Sequence, residues 1–132
     1  NKKNILIVED IEILRVSMVS CVKKYLEKNK IENRYNILEG EDGRDLIKFI
    51  LDDAQDDEIK YVITDENMEL INGSLAIKLL KQLEDLRKIK KKIYILASSD
   101  KSPNFKNDGF DYCINKPIKI DELDPIFNKH GK

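Results

Sequence analysis

Four apolar runs in this chain each end in a residue suited to phosphoryl chemistry. Ile5-Leu6-Ile7-Val8 leads into Glu9-Asp10, and Tyr61-Val62-Ile63-Thr64 leads into Asp65. Ile93-Tyr94-Ile95-Leu96-Ala97 leads into Ser98, and Tyr112-Cys113-Ile114-Asn115 leads into Lys116-Pro117. If the four runs are strands of one open parallel sheet, their carboxyl ends line a single crevice. Glu9, Asp10 and Asp65 then form a cluster of like charges that repels itself unless a cation sits in it. Mg²⁺ suits such a cluster, because it takes oxygen ligands, keeps several waters and needs only one or two carboxylates. Mn²⁺ favours the same donors. Lys116 adds a compact point charge for a phosphate or acyl-phosphate oxygen, and Ser98 adds one hydroxyl donor. Asp65 is then the natural nucleophile for phosphoryl transfer. Each residue alone has an ordinary explanation. An acidic pair after a strand often caps the next helix, and a lysine before proline is usually a solvated turn residue. The convergence of four strand ends is what favours chemistry.

The elements needed to position these residues are legible in the pattern. Ile5–Val8 is a continuous apolar run, as expected of a strand buried on both faces. Ile13 to about Asn29 reads as a helix, with Leu14, Met18, Cys21, Val22, Tyr25 and Leu26 at helical spacing. Tyr35–Glu39 is a weaker strand, and Gly40-Glu41-Asp42-Gly43 a turn. Asp45 to Leu51 reads as a helix, and Tyr61–Asp65 as the third strand. Ser74 is expected to cap a helix from Leu75 to about Leu86. Ile93–Ser98 and Tyr112–Asn115 are the last strands, and Asp121 is expected to cap a final helix to about Lys129. This alternation predicts a three-layer α/β sandwich around a parallel five-stranded sheet.

Composition narrows the class. The 132 residues suit one domain spanning 1–132. Charged residues make up 37% with a net charge of −1, a balance that excludes the basic footprint of a nucleic-acid binder. No apolar run approaches the ~20 residues that cross a bilayer, and the residues given open with no signal-peptide pattern. Cys21 and Cys113 lack a metal-binding spacing. The expectation is a cytoplasmic protein, not inserted in a membrane, with two reduced, buried thiols. The acidic stretch Asp52–Glu58 and the basic run Arg87–Lys92 read as solvated loops. His130 reads as a benign residue near a helix carboxyl terminus.

Ile5–Asp10, Asp42–Leu46, Thr64–Gly73 and Gly109–Ile118, in this order and spacing, resemble the receiver domain of two-component phosphorelay systems over essentially the whole chain. The resemblance implies a flavodoxin-like, doubly wound sheet of order 2-1-3-4-5. It implies that Asp65 accepts a phosphoryl group from the phosphohistidine of a histidine kinase or histidine phosphotransfer protein. Asp10 matches the direct metal ligand and Glu9 its acidic neighbour, and the main-chain carbonyl of Asn67 completes the metal site. Ser98 falls where the family has Ser or Thr, with Ser99 the alternative by one register step. Lys116 matches the lysine that contacts phosphoryl oxygens, and the Lys116–Pro117 peptide is expected to be cis. A free-standing receiver and the receiver of a hybrid sensor histidine kinase both fit.

The chain departs from the family pattern in ways that bear on output. Glu69 stands where the family usually has Pro, which implies a less rigid loop after Asp65. Cys113 stands at the switch position, where the family often has Tyr or Phe. Tyr112 is adjacent but points to the opposite face of the strand. Only residues 99–108 separate Ser98 from Gly109, about one helical turn fewer than the family has. Pro103, Asn104, Asn107 and Asp108 are poor helix formers. Ser102 can cap one short turn starting at Pro103, so the fourth helix of the family is expected to be short or irregular. The reading is a phosphoacceptor and not a dedicated enzyme. An aspartate-nucleophile phosphatase of the haloacid dehalogenase type wants a second Asp two residues after the nucleophile, where Asn67 stands. A degenerate receiver acting as a scaffold would lack Asp65, Asp10 or Lys116, and all three are present.

Overall fold

The computed structural model describes residues 2–100 and 104–131. β1 (Lys3–Val8), β2 (Tyr35–Gly40), β3 (Ile59–Asp65), β4 (Ile93–Ser98) and β5 (Tyr112–Asn115) pair in the order β2-β1-β3-β4-β5. Every pairing is parallel. The helices are α1 (Glu12–Lys28), α2 (Gly43–Asp52), α3 (Gly73–Asp85) and α4 (Ile120–His130), and a short 3₁₀ turn at Glu32–Arg34 leads into β2. The flavodoxin-like order follows.

The strands alternate between two cores, as their two-residue period requires. Ile5, Ile7, Tyr61, Ile63 and Ile95 pack in one cluster with Met18, Val22 and Tyr25 of α1 and Leu123, Ile126 and Phe127 of α4. Leu6, Val8, Val62, Tyr94 and Leu96 pack in the other with Leu46 and Ile50 of α2 and Ala76, Ile77 and Leu80 of α3. Each fully buried aliphatic side chain stabilises the fold by roughly 1.5–3 kcal/mol. Phe127 docks α4 by stacking on Tyr61, with ring centroids 4.3 Å apart. Among the described residues, no helix is long and apolar enough to cross a membrane.

Several local expectations need correction. Asn72, not Ser74, caps α3: its side chain accepts from the Leu75 N–H, and Ser74 Oγ bonds Asn72 Oδ1. The α4 cap is Lys119 with no side-chain bond, and Asp121 lies inside the first turn. Pro125 lies within α4 on the exposed side, where it removes one N–H donor. The acidic stretch and the basic run are not simply solvated, because Asp53 and Lys92 are buried and paired with each other. Both cysteines are free and half-buried.

Between β4 and β5, residues 104–109 form turns, and no helix occurs among the described residues of the connection. The expected turn at Ser102 and Pro103 lies outside the described residues. Gly109 closes the segment at φ 100°, in the left-handed region open to glycine. A Cβ there would also meet the Lys81 side chain at 2.8 Å.

Candidate functional site

The sheet register brings the four strand ends to one edge. Val8 pairs with Thr64, Asp65 with Ala97, and Ser98 with Asn115. Glu9, Asp10, Asp65, Ser98 and Lys116 therefore emerge at the same carboxyl end. Gly73 lets α3 begin against this edge: a Cβ at that position would lie 2.4 Å from the Asp65 carbonyl oxygen. The loop between Asp65 and α3 is fastened by the Gly73 N–H to the Glu66 carbonyl (2.9 Å) and the Ser74 N–H to Glu66 Oε1 (2.6 Å). Leu70 in that loop sits at φ 69°, within a tight turn closed by the Ile71 N–H on the Glu69 carbonyl.

Glu9 is completely buried and held on all sides. Its N–H donates to the Gly40 carbonyl, and its carbonyl accepts from Arg15 Nη1 at 2.7 Å. Its carboxylate accepts from the Ile11 N–H and from Lys116 Nζ. Lys116 Nζ also lies 3.3 Å from Asp65 Oδ2, so one ammonium bridges two of the three carboxylates. Burial pushes the Glu9 carboxyl above its ordinary value, and the Asp10 and Asp65 carboxyls reinforce this against the pull of Lys116. Burial acts to lower the Lys116 ammonium, but contact with Glu9 and Asp65 outweighs it and holds the ammonium above its ordinary value.

The acidic pair is not spent on capping. The α1 cap is Ile11, with no side-chain bond, whereas Asp42 caps α2 by accepting from the Asp45 N–H. Asp10 Oδ1 is buried and has no hydrogen-bond partner among the described residues. Carboxylate oxygens of Glu9, Asp10 and Asp65 lie within 4.8 Å of one another. A buried acceptor without a donor, inside an acidic cluster, fits a hard divalent cation with oxygen ligands. Glu9, Asp10 and Asp65 are the side chains that would hold it.

Other predicted residues stand near the cluster without touching it. Ser98 Oγ donates to the Asp100 carbonyl at 2.6 Å and accepts from the Asp100 N–H, so its hydroxyl is engaged with its own loop. Asn67 is exposed, two residues beyond Asp65. The Lys116–Pro117 peptide is cis. Cys113 joins the α2–α3 core and Tyr112 the α1–α4 core, so the two do point to opposite faces. Tyr112 Oη lies 2.7 Å from His130 Nε2, away from the cluster. Sequence reasoning missed Arg15, which fixes the Glu9 backbone and also reaches Glu39 at 3.2 Å. The available signal was an arginine in register with Met18, Val19 and Val22 on the buried face of α1.

No family model and no curated protein matches the chain. Solved structures do. A two-component response regulator from Cytophaga hutchinsonii is 25% identical, with 98% of this chain and 97% of that chain covered and a TM-score of 0.75. Vibrio cholerae chemotaxis protein CheY4 is 21% identical, with 98% of each chain covered and a TM-score of 0.65. The receiver domain of the Saccharomyces cerevisiae response regulator Ssk1, crystallised with the histidine phosphotransfer protein Ypd1, is 19% identical. There 93% of this chain and 84% of that chain are covered, with a TM-score of 0.69.

Proposed function

We propose that the protein, which has the receiver fold of two-component response regulators, is a phosphoacceptor signalling module that carries its phosphoryl group on Asp65. The observation that carries this reading is the cluster of Glu9, Asp10 and Asp65, with Lys116 reaching across it to Asp65. An Asp65 oxygen bonds to phosphorus as the bond from phosphorus to the partner's histidine nitrogen breaks. The imidazole leaves with the electron pair and takes up a proton, and Asp65 becomes an acyl phosphate. Lys116 sits where an ammonium offsets charge on the phosphoryl oxygens. Glu9, Asp10 and Asp65, with the Asn67 carbonyl, would hold Mg²⁺ or Mn²⁺, which would supply further positive charge at the phosphoryl group. Asp10, whose Oδ1 has no partner among the described residues, would be a ligand to the ion, and Glu9, already bonded to Lys116 and Ile11, would contribute mainly its negative charge. Ser98 gives up its bond to Asp100 to donate to a phosphoryl oxygen.

The partner is a histidine kinase or a histidine phosphotransfer protein, and the likeness to the Ssk1 receiver supports that class. So does the rim of the site, where Ile11, Ile13 and Val16 are 52%, 77% and 56% exposed. Residues 1–132 act as one cytoplasmic receiver. Cys113 lacks the ring that reports phosphorylation in the family, so output through β5 and α4 is altered.

The test is incubation with acetyl phosphate or phosphoramidate and Mg²⁺, with hydroxylamine trapping and mass spectrometry. One labile acyl phosphate on Asp65, lost in Asp65→Asn and in excess chelator, is expected. Label on Ser98, Ser99 or His130 would overturn the assignment. Turnover of monoesters would favour a phosphatase, and no label at all a scaffold.

A further inference from the structure

α3 has two apolar faces, and only one is covered. Ala76, Ile77 and Leu80 are buried against the sheet. On the outer side, Leu75, Leu79 and Leu86 are 48%, 41% and 67% exposed. With exposed Gln82 they recur at intervals of four, three and four residues. That is the spacing of a two-stranded helical seam, in which a single polar residue fixes register.

The charges at the two ends of this stripe have opposite sign. Glu69 is exposed just before α3, next to Leu70 at 71% exposure. Arg87, Lys88, Lys90 and Lys91 are all exposed just after it. The 13-residue helix sets the two groups ~20 Å apart, beyond the ~8 Å screening length at physiological salt. They do not neutralise each other within one molecule.

We propose that this face pairs two copies of the chain through α3, antiparallel about a two-fold axis. An isologous arrangement puts Leu75 of one copy against Leu86 of the other and Leu79 beside Gln82. It also brings Glu69 of each copy to Lys90 and Lys91 of its mate. The basic run, which the phosphoacceptor site does not use, then has a role. So few residues fall short of the ~20–30 a side of a standard interface, so the dimer is weak and depends on concentration.

Sedimentation equilibrium of the whole chain from ~10 μM to ~1 mM tests this, a range matched to small interfaces. The expected mass rises from 15.4 kDa toward twice that value. Leu79→Glu is expected to weaken association at least ~10-fold, the scale of one lost seam contact, with unchanged helical circular dichroism and melting. Glu69→Lys and the double variant Lys90→Glu/Lys91→Glu are each expected to self-associate poorly. Mixed together, they are expected to recover a heterodimer, because every end contact is then oppositely charged. A monomer across the whole range overturns the proposal and leaves the stripe to a different partner. So does a dimer indifferent to Leu79→Glu. A mixture no tighter than either variant alone overturns the antiparallel register.

Discussion

The two ends of the sheet each bury a cluster of charge, and they treat it in opposite ways. At the amino end, Lys92 Nζ meets Asp53 Oδ2 and Asp57 Oδ1, both at 2.7 Å. Asp53 also accepts from the Glu58 and Ile59 N–H groups, and the Lys92 N–H donates to Glu84 Oε2. At the carboxyl end, Lys116 reaches Glu9 and Asp65, while Asp10 Oδ1 has no partner among the described residues. The pKa directions follow. Burial pushes Asp53 up, but Lys92 and two backbone donors outweigh it and hold the carboxyl below its ordinary value. At Glu9 burial wins, aided by neighbouring acids. Asp53, with its donors complete, ties elements together, and Glu84 Oε1 beside it has the Lys81 ammonium at 3.3 Å. Asp10 Oδ1, left without a donor among acids, is available to a ligand.

The largest expected effect is at the amino end. Lys92→Met strands two carboxylates and is expected to cost about 3–5 kcal/mol in urea unfolding. A loss below about 1 kcal/mol, the scale of an exposed pair, would erase the contrast. Next comes the metal. Mg²⁺ at a hundred times its Kd is expected to stabilise the protein by about 2.7 kcal/mol, with no such shift in Asp65→Asn. An undiminished shift in that variant would place the ion elsewhere. Smaller again, and opposite in sign to Lys92→Met, Asp10→Asn is expected to stabilise the metal-free protein by on the order of 1 kcal/mol by relieving repulsion. A loss of stability there would mean that the acidic cluster is internally satisfied.

The smallest effect is the finest test. In chelator, the folded state at Glu9 holds a proton that the unfolded chain releases. Its contribution therefore falls as pH rises from the ordinary carboxylate range through the raised value. Asp53 does the reverse: its contribution is present above the ordinary Asp value and is lost as pH falls through the lowered one. Stability against pH is expected to lose its alkaline-side decline in Glu9→Gln and to flatten on the acid side in Asp53→Asn. Slopes of the same sign at both positions would contradict the comparison.

The carboxyl end was legible in the sequence because strand ends carry it. Each of Glu9, Asp10, Asp65 and Lys116 directly follows or closes an apolar run, so topology alone gathers them. The strand order came with the resemblance, whereas the parallel five-stranded sheet came from the alternation of elements. The amino end was not legible. Asp53 lies just past α2 and Lys92 just before β4, each within a stretch whose other charges are exposed, the half-buried Asp57 excepted. Nothing local separates the one buried member from its solvated neighbours. Caps misled for a similar reason: Asn72 and Ser74 both suit the role, and the close approach at Gly73 decides between them by starting α3 early.

Chain length limits the β4–β5 connection. A crossover between parallel strands needs about a dozen residues to return to the start of the sheet. Here residues 99–111 do the whole job, with turns in place of a helix in the described part. In length the segment is close to the shortest chain that makes such a return. Removing two residues is expected to unpair β5, and with it Lys116. Adding several glycines costs little more than loop entropy. Changes of length on this edge are therefore expected to be tolerated as insertions and not as deletions.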